Sequence, residues 1–426
     1  MSRTHLLRGA LVAAALLLVP APAALAQALA PNPSSDPVIN WYDATRAAVD
    51  QAGYPAAGNT QIVASRTWAI AWSAADTAIA GLPKTLTPAG RDIATRAALA
   101  TAVHDAIVVV LPQAKGLVDE ARRRTLAKLP ASAAKAIGKK AGHDAAAKIT
   151  AERYGDGLDV GSVNRSFTPP ADPALGVWRP TPPAFAPPVQ AGQGDAKPFL
   201  IPDVTKRFVA PAPPAIDSPT VIADLQEIDR LGTATSTERT PEQTNTAWLW
   251  SQTSVNGFTQ ILRGAITGAG RPIAARVHLV AVFHEVTTDV QIAIYASKYK
   301  YLRWRPVTAL TTDDGNPATP YDPAFKTLIA TPPHPEYPSG HTGYAGAAET
   351  VLRALAGPKP AKPITITTPP NVPTRAWATY TDWSQPTQDN INARVWEGIH
   401  LRSTDTASVA FGKQIAEAAL KVVGVS

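Results

Sequence analysis

Three short stretches in the second half of the chain carry basic and imidazole side chains in patterns that could bind an oxyanion. The first contains Lys298 and Arg305, seven positions apart. On a helix this spacing is two turns, so both side chains project from one face and can converge on a tetrahedral oxyanion. The alternative is a pair of charges on the protein surface, which is the more common role of such a pair taken alone. Lys300 and Arg303 would lie on other faces as solvated charges. Pro306 is predicted to end or bend the helix beside the site.

The second stretch combines a helix start with an imidazole. Residues 335–338 include two prolines, and a helix-forming run follows at once. Ser339 stands at the predicted N-cap, and Gly340 allows the backbone to approach a ligand closely. The exposed N–H groups of a first helical turn, together with the serine hydroxyl, form a cradle for an anion. His341 would project from that turn beside the anion. The alternative is an ordinary cap followed by a solvent-facing histidine.

The third stretch supplies a further guanidinium and a second imidazole. Arg394 can hold an oxyanion in a bidentate manner, and His400 follows six positions later. That spacing is about 120° on a continuous helix, so Gly398 is predicted to mark a helix end that brings His400 round. A neutral His400 can attack phosphorus or bind a metal oxide if a hydrogen bond fixes its tautomer. Asp405 is a candidate for that bond, and equally for the N-cap of the last helix.

Segments with helical periodicity must position these residues. We predict an all-α fold of two packed helical bundles, with an N-terminal helical half at 27–155 and a C-terminal half at 221–426 that carries the site. In the first half, Trp68 and Trp72 belong to one apolar stripe, and Leu99 and Val103 belong to another.

A proline-rich connection separates the two halves at residues 156–220. Of the 41 prolines, 14 fall between positions 161 and 220, so this part is predicted to be extended, on the surface or between the bundles. A long helix is predicted between Pro272 and Arg305, and the last two helices at 389–399 and 405–422. Only residues 364–367 alternate like a strand.

Composition limits the function classes. The chain has 426 residues, of which 45% are hydrophobic and 17% charged, which excludes a disordered protein. It has no cysteine, which excludes disulfides, thiolate metal sites, iron–sulfur clusters and cysteine nucleophiles. The net charge of +7 suits anionic substrates. Nucleic acid is not an expected partner, because the basic residues are dispersed.

Residues 1–26 have the pattern of a secretory signal peptide. Arg3 and Arg8 precede or begin an apolar run, and small residues at Ala24 and Ala26 form a cleavage site. The apolar run is shorter than the ~20 residues that a membrane span needs, and no later stretch is expected to span. We therefore predict export to the periplasm or beyond the cell. Cleavage would also remove the only methionine.

Taken in order, the three stretches resemble the motifs of the phosphatidic-acid-phosphatase/vanadium haloperoxidase superfamily. That pattern is Lys-x6-Arg-Pro, then Pro-Ser-Gly-His, then Ser-Arg-x5-His-x3-Asp. The sequence matches it at Lys298, Arg305, Pro306, Pro338, Ser339, Gly340, His341, Arg394 and His400. Two positions depart from it, because Ala393 stands where the pattern has serine and Thr404 where it has aspartate. The plan of the chain is similar to that of exported bacterial haloperoxidases.

The resemblance implies one pocket that serves two chemistries. In a haloperoxidase the cofactor is vanadate and the substrates are hydrogen peroxide and a halide. The residues implied to hold vanadate are Lys298, Arg305, Ser339, Gly340 and Arg394. His400 would bind the metal axially, and His341 would act as the acid–base group. In an exported acid phosphatase the pocket would bind the phosphate of an ester, His400 would attack phosphorus and His341 would protonate the leaving alcohol.

Two further points follow from the resemblance. His334 lies seven residues before His341, at a position that lies over vanadate in the family, and a histidine there resembles the bromide-oxidising members. Bromide is therefore the expected halide. The departures at Ala393 and Asp405 leave open a third interpretation, a non-catalytic oxyanion-binding relative. Relatives often form dimers, and the sequence identifies no interface for a homodimer here.

Overall fold

The structure, a computed structural model, describes residues 34–51, 60–267, 270–370 and 372–425. The predicted signal peptide lies outside the described residues. Within them the chain forms fifteen α-helices and one two-stranded sheet, which confirms the all-α prediction.

The N-terminal half consists of five helices packed around buried aromatic and small side chains. They are α1 (Pro37–Gln51), α2 (Gln61–Ala80), α3 (Pro88–Val110), α4 (Lys115–Ala127) and α5 (Ala133–Glu152). Both predicted apolar stripes are buried, including Trp68 and Leu99. Local signals start α3, because Thr87 accepts a hydrogen bond from Gly90 N at the N-cap.

The proline-rich connection contains two short helices, α6 (Val160–Val163) and α7 (Val204–Arg207). It is not confined to the surface, because Trp178 and Gln193 are fully buried. Trp178 N donates to Leu302 O at 2.6 Å, and Trp304 N donates to Gly176 O at 2.8 Å. The connection therefore holds the segment that carries the first candidate site residues.

The C-terminal half contains the remaining helices and the sheet. The helices are α8 (Pro219–Leu231), α9 (Pro241–Trp250), α10 (Ser254–Ile266), α11 (Ile273–Tyr301), α12 (Pro306–Leu310), α13 (Gly340–Val351), α14 (Ser384–Trp396) and α15 (Arg402–Val422). Strands β1 (Ile364–Thr367) and β2 (Trp377–Tyr380) pair antiparallel, with Ile364 opposite Tyr380. The strand predicted at 364–367 is confirmed.

Helix α11 is the centre of the molecule. It packs against α2 of the first half and against α13 and α15 of the second. One hydrophobic cluster extends from Val38 to Leu420, so the two halves share a core. The site residues at the end of α11 are therefore fixed by packing from both halves.

Two of the described helices, α3 and α11, are long and apolar enough to cross a membrane by length and composition. That no later stretch spans a membrane stays a prediction. Both helices lie mostly inside the protein, with 67% and 89% of their most apolar windows buried.

Helices α13 and α15 touch through glycine. A Cβ atom at Gly412 would lie 2.0 Å from the carbonyl oxygen of Gly343, far inside van der Waals contact. We expect Gly412→Ala to force the helices apart and to lower the free energy of unfolding by about 1–3 kcal/mol, measured by urea denaturation. Gly116→Ala is the matched control, because a Cβ there meets nothing within 4 Å. Equal stability of the Gly412 variant and the wild type would contradict the close contact.

Candidate active site

Lys298 and Arg305 reach the same place from two helices rather than one. Helix α11 ends at Tyr301, and Leu302 adopts a left-handed conformation with φ of 49°. Arg305 has an extended backbone and precedes α12, which Pro306 begins. The prediction of one helix through both basic residues is therefore wrong, since a residue before proline is disfavoured in helical conformation. Both side chains are nevertheless fully buried and electrostatically coupled.

The two other basic residues of this stretch differ from each other. Lys300 is exposed, as predicted. Arg303 is only 7% exposed, which contradicts the prediction of a solvated charge. Its backbone pairs with Val177 of the proline-rich connection, and its carbonyl accepts a hydrogen bond from Glu336 N at 2.9 Å. Long-range pairing therefore buries a side chain that helical periodicity would have exposed.

The Lys298 ammonium group is anchored to the loop that precedes α13. Its Nζ donates to Pro335 O at 2.8 Å and to Glu336 O at 2.9 Å. An ammonium group has three donors, so one remains for a ligand. Burial, and then the charge of Arg305, lower the pKa of Lys298 well below its ordinary value. A bound anion would oppose both effects.

Arg305 connects the first stretch to the third. Its Nη1 donates to Ile399 O at 2.9 Å and to His400 Nε2 at 3.1 Å. Its other end contacts His334, with Nε donating to the carbonyl at 2.9 Å and Nη2 lying 3.0 Å from Nδ1. Burial lowers the pKa of Arg305 to about 10, so it is charged at neutral pH. Because a guanidinium only donates, His400 Nε2 carries a lone pair.

The end of α14 brings His400 to this point. The helix ends at Trp396, and Gly398 adopts φ of 80° in the turn that follows. Ile399 N donates to Arg394 O at 3.2 Å and closes the turn. The predicted helix end at Gly398 is confirmed. His400 is 2% exposed, and burial followed by the charge of Arg305 lowers its pKa well below the ordinary value.

Glu336, to which the sequence analysis gave no role, contacts the other side of the His400 ring. His400 Nδ1 donates to Glu336 Oε1 at 2.9 Å. The same oxygen accepts from Leu401 N at 3.1 Å, and Oε2 accepts from the Thr404 hydroxyl at 3.0 Å. Burial raises the pKa of Glu336, although the charges of Arg305 and Lys298 oppose the shift. The only signal in the sequence was an acid in the proline-rich turn before the second motif.

Asp405 fills neither of its two expected roles. Helix α15 has Leu401 at its N-cap, so Asp405 lies inside the first turn. Its Oδ1 accepts from the Thr342 hydroxyl at 3.2 Å, while His400 bonds to Glu336 instead. Burial raises the pKa of Asp405 well above its ordinary value. The carboxylate is too far round the helix because each position shifts the side chain by about 100°.

Ser339 stands at the N-cap of α13 as predicted, but its hydroxyl does not cap the helix. Its backbone N–H donates to Ser408 Oγ at 2.8 Å. The buried Ser339 Oγ makes no hydrogen bond of good geometry in the described part of the chain, but it lies near the Asp405 carboxyl, where it opposes the rise of the Asp405 pKa that burial causes. At Gly340 a Cβ would meet only ordinary contacts of 3.6 Å or more, so packing does not require glycine there.

His341 lies in the first turn of α13. Its Nε2 lies 3.1 Å from the Gln252 carbonyl oxygen. Since a carbonyl only accepts, Nε2 carries the proton and Nδ1 carries the lone pair. Burial, followed by the charge of Arg394, lowers the pKa of His341 well below its ordinary value. His341 is therefore a neutral proton acceptor at neutral pH.

Arg394 is paired with a second carboxylate that the sequence analysis missed. Its terminal nitrogen donates to Glu397 and to the Trp250 carbonyl, while its Nε has no partner among the described residues. Arg394 and Glu397 are both buried. They lie three positions apart near the end of α14, a spacing that brings the two side chains into contact. Ala393 beside them is fully buried and supplies no hydroxyl.

Glu397 gives the protein a pH-dependent stability. Burial raises its pKa from 4.5 to about 8, opposed by Arg394. The unfolded chain releases this proton near pH 4.5, so the stabilisation is complete below that pH and is lost as the pH rises towards 8. We expect Glu397→Gln to reduce the loss of unfolding free energy between pH 5 and 8 by on the order of 3 kcal/mol, measured by urea denaturation. If the unfolding free energy of the variant and of the wild type changed equally with pH, the raised pKa of Glu397 would be contradicted. Glu238→Gln is the control, because Glu238 is exposed.

His334 connects the site to the proline-rich connection. Its Nε2 lies 3.3 Å from Tyr295 Oη, which donates to Gln190 Oε1 at 3.0 Å. His334 Nδ1 lies 3.0 Å from the donor Arg305 Nη2 and 3.2 Å from the Pro335 carbonyl oxygen, an acceptor, so these contacts are compatible with either tautomer of the ring. No sequence signal pointed to Gln190, which lies 105 positions from Tyr295 along the chain.

The residues present fit an oxyanion. Three buried cations, Lys298, Arg305 and Arg394, lie close enough to affect one another's charge, and the buried Ser339 stands at the start of α13. A helix N-terminus and a serine hydroxyl can both donate to an anion. Vanadate and phosphate each match this donor set. The roles of these residues remain predictions, but the structure brings all three motifs together.

The fold and part of the sequence resemble known proteins. Residues 278–425 match the family profile of the VCPO second helical-bundle domain. The fold is that of the vanadium haloperoxidases, which confirms the resemblance found in the motifs. No curated protein matches the chain by sequence.

Two solved structures illustrate the likeness. One is described as the first bacterial vanadium-dependent iodoperoxidase, with a TM-score of 0.72, 19% identity, and coverage of 92% of this chain and 97% of that one. The other is a bacterial vanadium-dependent chloroperoxidase in its holo form, with a TM-score of 0.64, 19% identity, and coverage of 85% and 92%. At this identity the likeness establishes the fold.

Proposed function

We propose that the protein is an exported vanadate-dependent haloperoxidase that oxidises halide, with bromide preferred, by hydrogen peroxide to hypohalous acid. The observation that carries the proposal is the 3.1 Å contact between Arg305 Nη1 and His400 Nε2. The contact shows that Nε2 carries the lone pair of a neutral ring among buried cations, and vanadate bound there would take the place of Arg305 at Nε2. The preference for bromide rests on His334, which contacts Arg305.

Each side chain has a defined task in this proposal. Lys298, Arg305 and Arg394 would neutralise vanadate, with the Ser339 hydroxyl and the Gly340 N–H as further donors. When bound, vanadate supplies a Lewis acid that activates peroxide without changing oxidation state.

The two imidazoles then divide the remaining work. His400 would offer Nε2 to vanadate in place of its contact with Arg305, with its proton held at Nδ1 by Glu336. His341 takes a proton from peroxide at Nδ1, while its Nε2–H stays on the Gln252 carbonyl. The neutral state of His341 suits this step better than the phosphatase reaction, in which the same residue must first carry the proton that it gives to the leaving alcohol.

A paired assay tests the proposal. The purified protein, loaded with vanadate, should brominate phenol red with peroxide and bromide, and should not do so before loading. Chloride and iodide in parallel test the halide preference. Hydrolysis of p-nitrophenyl phosphate by the vanadate-free protein, inhibited by vanadate and without oxidation of any halide, would overturn the proposal in favour of a phosphatase. Tight vanadate binding with neither activity would overturn it in favour of a non-catalytic oxyanion-binding protein.

A further inference from the structure

In this chain, the carboxylate that fixes the tautomer of His400 belongs to a different residue from the aspartate that the family motif predicts. In the family pattern an aspartate follows the second histidine by four positions, and here Thr404 stands in that place. Asp405, the next residue, bonds to Thr342 rather than to His400. The acid at the expected position on α15 is therefore missing.

Glu336 takes that place from another element. It lies 64 positions before His400 in sequence, in the loop that precedes α13, and its Oε1 accepts from His400 Nδ1 at 2.9 Å. Thr404 donates to the other oxygen of the same carboxylate at 3.0 Å. The residue at position 404 therefore still contacts the carboxylate that orients His400, but it does so through the threonine hydroxyl.

The hydrogen bonds around the ring specify one tautomer from both sides. Oε1 also accepts from Leu401 N at 3.1 Å, so this oxygen faces two N–H donors. On the other side, Arg305 can only donate to His400 Nε2. Both contacts place the proton on Nδ1 and the lone pair on Nε2.

The loop that carries Glu336 is itself tied to the oxyanion site. Lys298 Nζ donates to the Glu336 carbonyl at 2.9 Å, and Glu336 N donates to Arg303 O at 2.9 Å. One short loop therefore positions a buried cation through its backbone and an imidazole through its side chain. Hydrogen bonds of this kind orient a metal-binding histidine and strengthen it as a ligand.

We propose that Glu336 is the positioning residue for His400, and that Glu336 with Thr404 replaces the aspartate expected at position 404. This rests on the proposed function only in taking His400 as the group that acts on the bound oxyanion. Glu336 does not contact the oxyanion in this scheme; it acts through the imidazole.

The first test removes the carboxylate. Glu336→Gln and Glu336→Ala are purified as full-length mature proteins, and vanadate affinity is measured by calorimetry. We expect affinity to fall about 10–100-fold. The downfield proton resonance of His400 Nδ1–H, assigned by its absence in His400→Ala, should be lost in Glu336→Ala. Glu349→Gln is the control, because that carboxylate is also buried but pairs with Arg353 and Lys413.

The second test moves the carboxylate. In the double variant Glu336→Ala with Thr404→Asp, we expect vanadate affinity to recover to within about tenfold of the wild type and the downfield resonance to return, because the acid comes back at the position that the motif predicts. A role for Glu336 in stability alone would not give this recovery. A double variant no better than Glu336→Ala would overturn the equivalence of positions 336 and 404.

Wild-type affinity and an unchanged resonance in both single variants would overturn the positioning role, as would an equal loss in Glu349→Gln. These readouts do not depend on halide oxidation. If the wild type lacks that activity but Glu336→Ala still loses the resonance and the affinity, the proposed function fails and the positioning role stands.

Discussion

Replacing His400 with alanine is expected to abolish halide oxidation, with turnover falling at least about a thousandfold. The His400 ring lies between two groups: Arg305 Nη1 is 3.1 Å from its Nε2, and Glu336 Oε1 is 2.9 Å from its Nδ1. Alanine removes the only atom that the proposal offers to the metal, and it leaves two buried groups without their partner. The measurement is bromination of phenol red by vanadate-loaded enzyme, with vanadate affinity determined separately.

The controls separate chemistry from folding. His400→Gln approximates the size of the ring and can satisfy part of its hydrogen bonding, so it should be more stable than His400→Ala and still inactive. His143→Ala removes an exposed histidine of the N-terminal half, whose partner is Asp105, and should keep activity. Full activity in folded His400→Ala would remove the assignment of the site for both the haloperoxidase and the phosphatase interpretation.

Most of the helical architecture could be predicted from the sequence because it is encoded locally. Proline and N-cap residues mark the start of α3, and apolar spacing marks its buried face. The predicted end of α14 at Gly398 was correct for the same reason, since a glycine at positive φ stops a helix without steric cost.

The errors concern residues whose position depends on long-range contacts. Seven-residue spacing placed Lys298 and Arg305 on one helix, yet the chain turns at Leu302, and Trp178 of the proline-rich connection holds that turn. The spacing was compatible with a helix, but Pro306 made Arg305 extended. Lys298 and Arg305 therefore come together as expected, but through a turn in the backbone and not along one helix.

The buried acids were missed for a related reason. Glu336 has no motif spacing of its own and becomes part of the site only when the fold places an imidazole beside it. Glu397 differs, because it lies three positions from Arg394, a local spacing that the sequence contained. Asp405 had the right chemistry close to the expected position, but one step along a helix turns a side chain by about 100°. A single sequence gives the residue types of such a network, and the fold determines which of them meet.

Replacing His341 with alanine is expected to separate turnover from binding. His341 Nε2 donates to the Gln252 carbonyl, so only Nδ1 is available for proton transfer, and it can act only as a proton acceptor. A general base contributes about 10²–10⁴-fold to rate. We expect His341→Ala to reduce turnover by about that factor while vanadate affinity changes less than about tenfold, because the three cations remain.

The pH profile supplies a second readout for the same variant. A base works in its neutral form, so wild-type activity should fall as the pH drops through the pKa of His341. Burial and the charge of Arg394 hold that pKa below its ordinary value, whereas a bound anion raises it by compensating Arg394, Lys298 and Arg305. The residual activity of His341→Ala should lack this acidic limb. Affinity and turnover falling by the same factor in His341→Ala would instead make His341 a binding residue and contradict its role as the base.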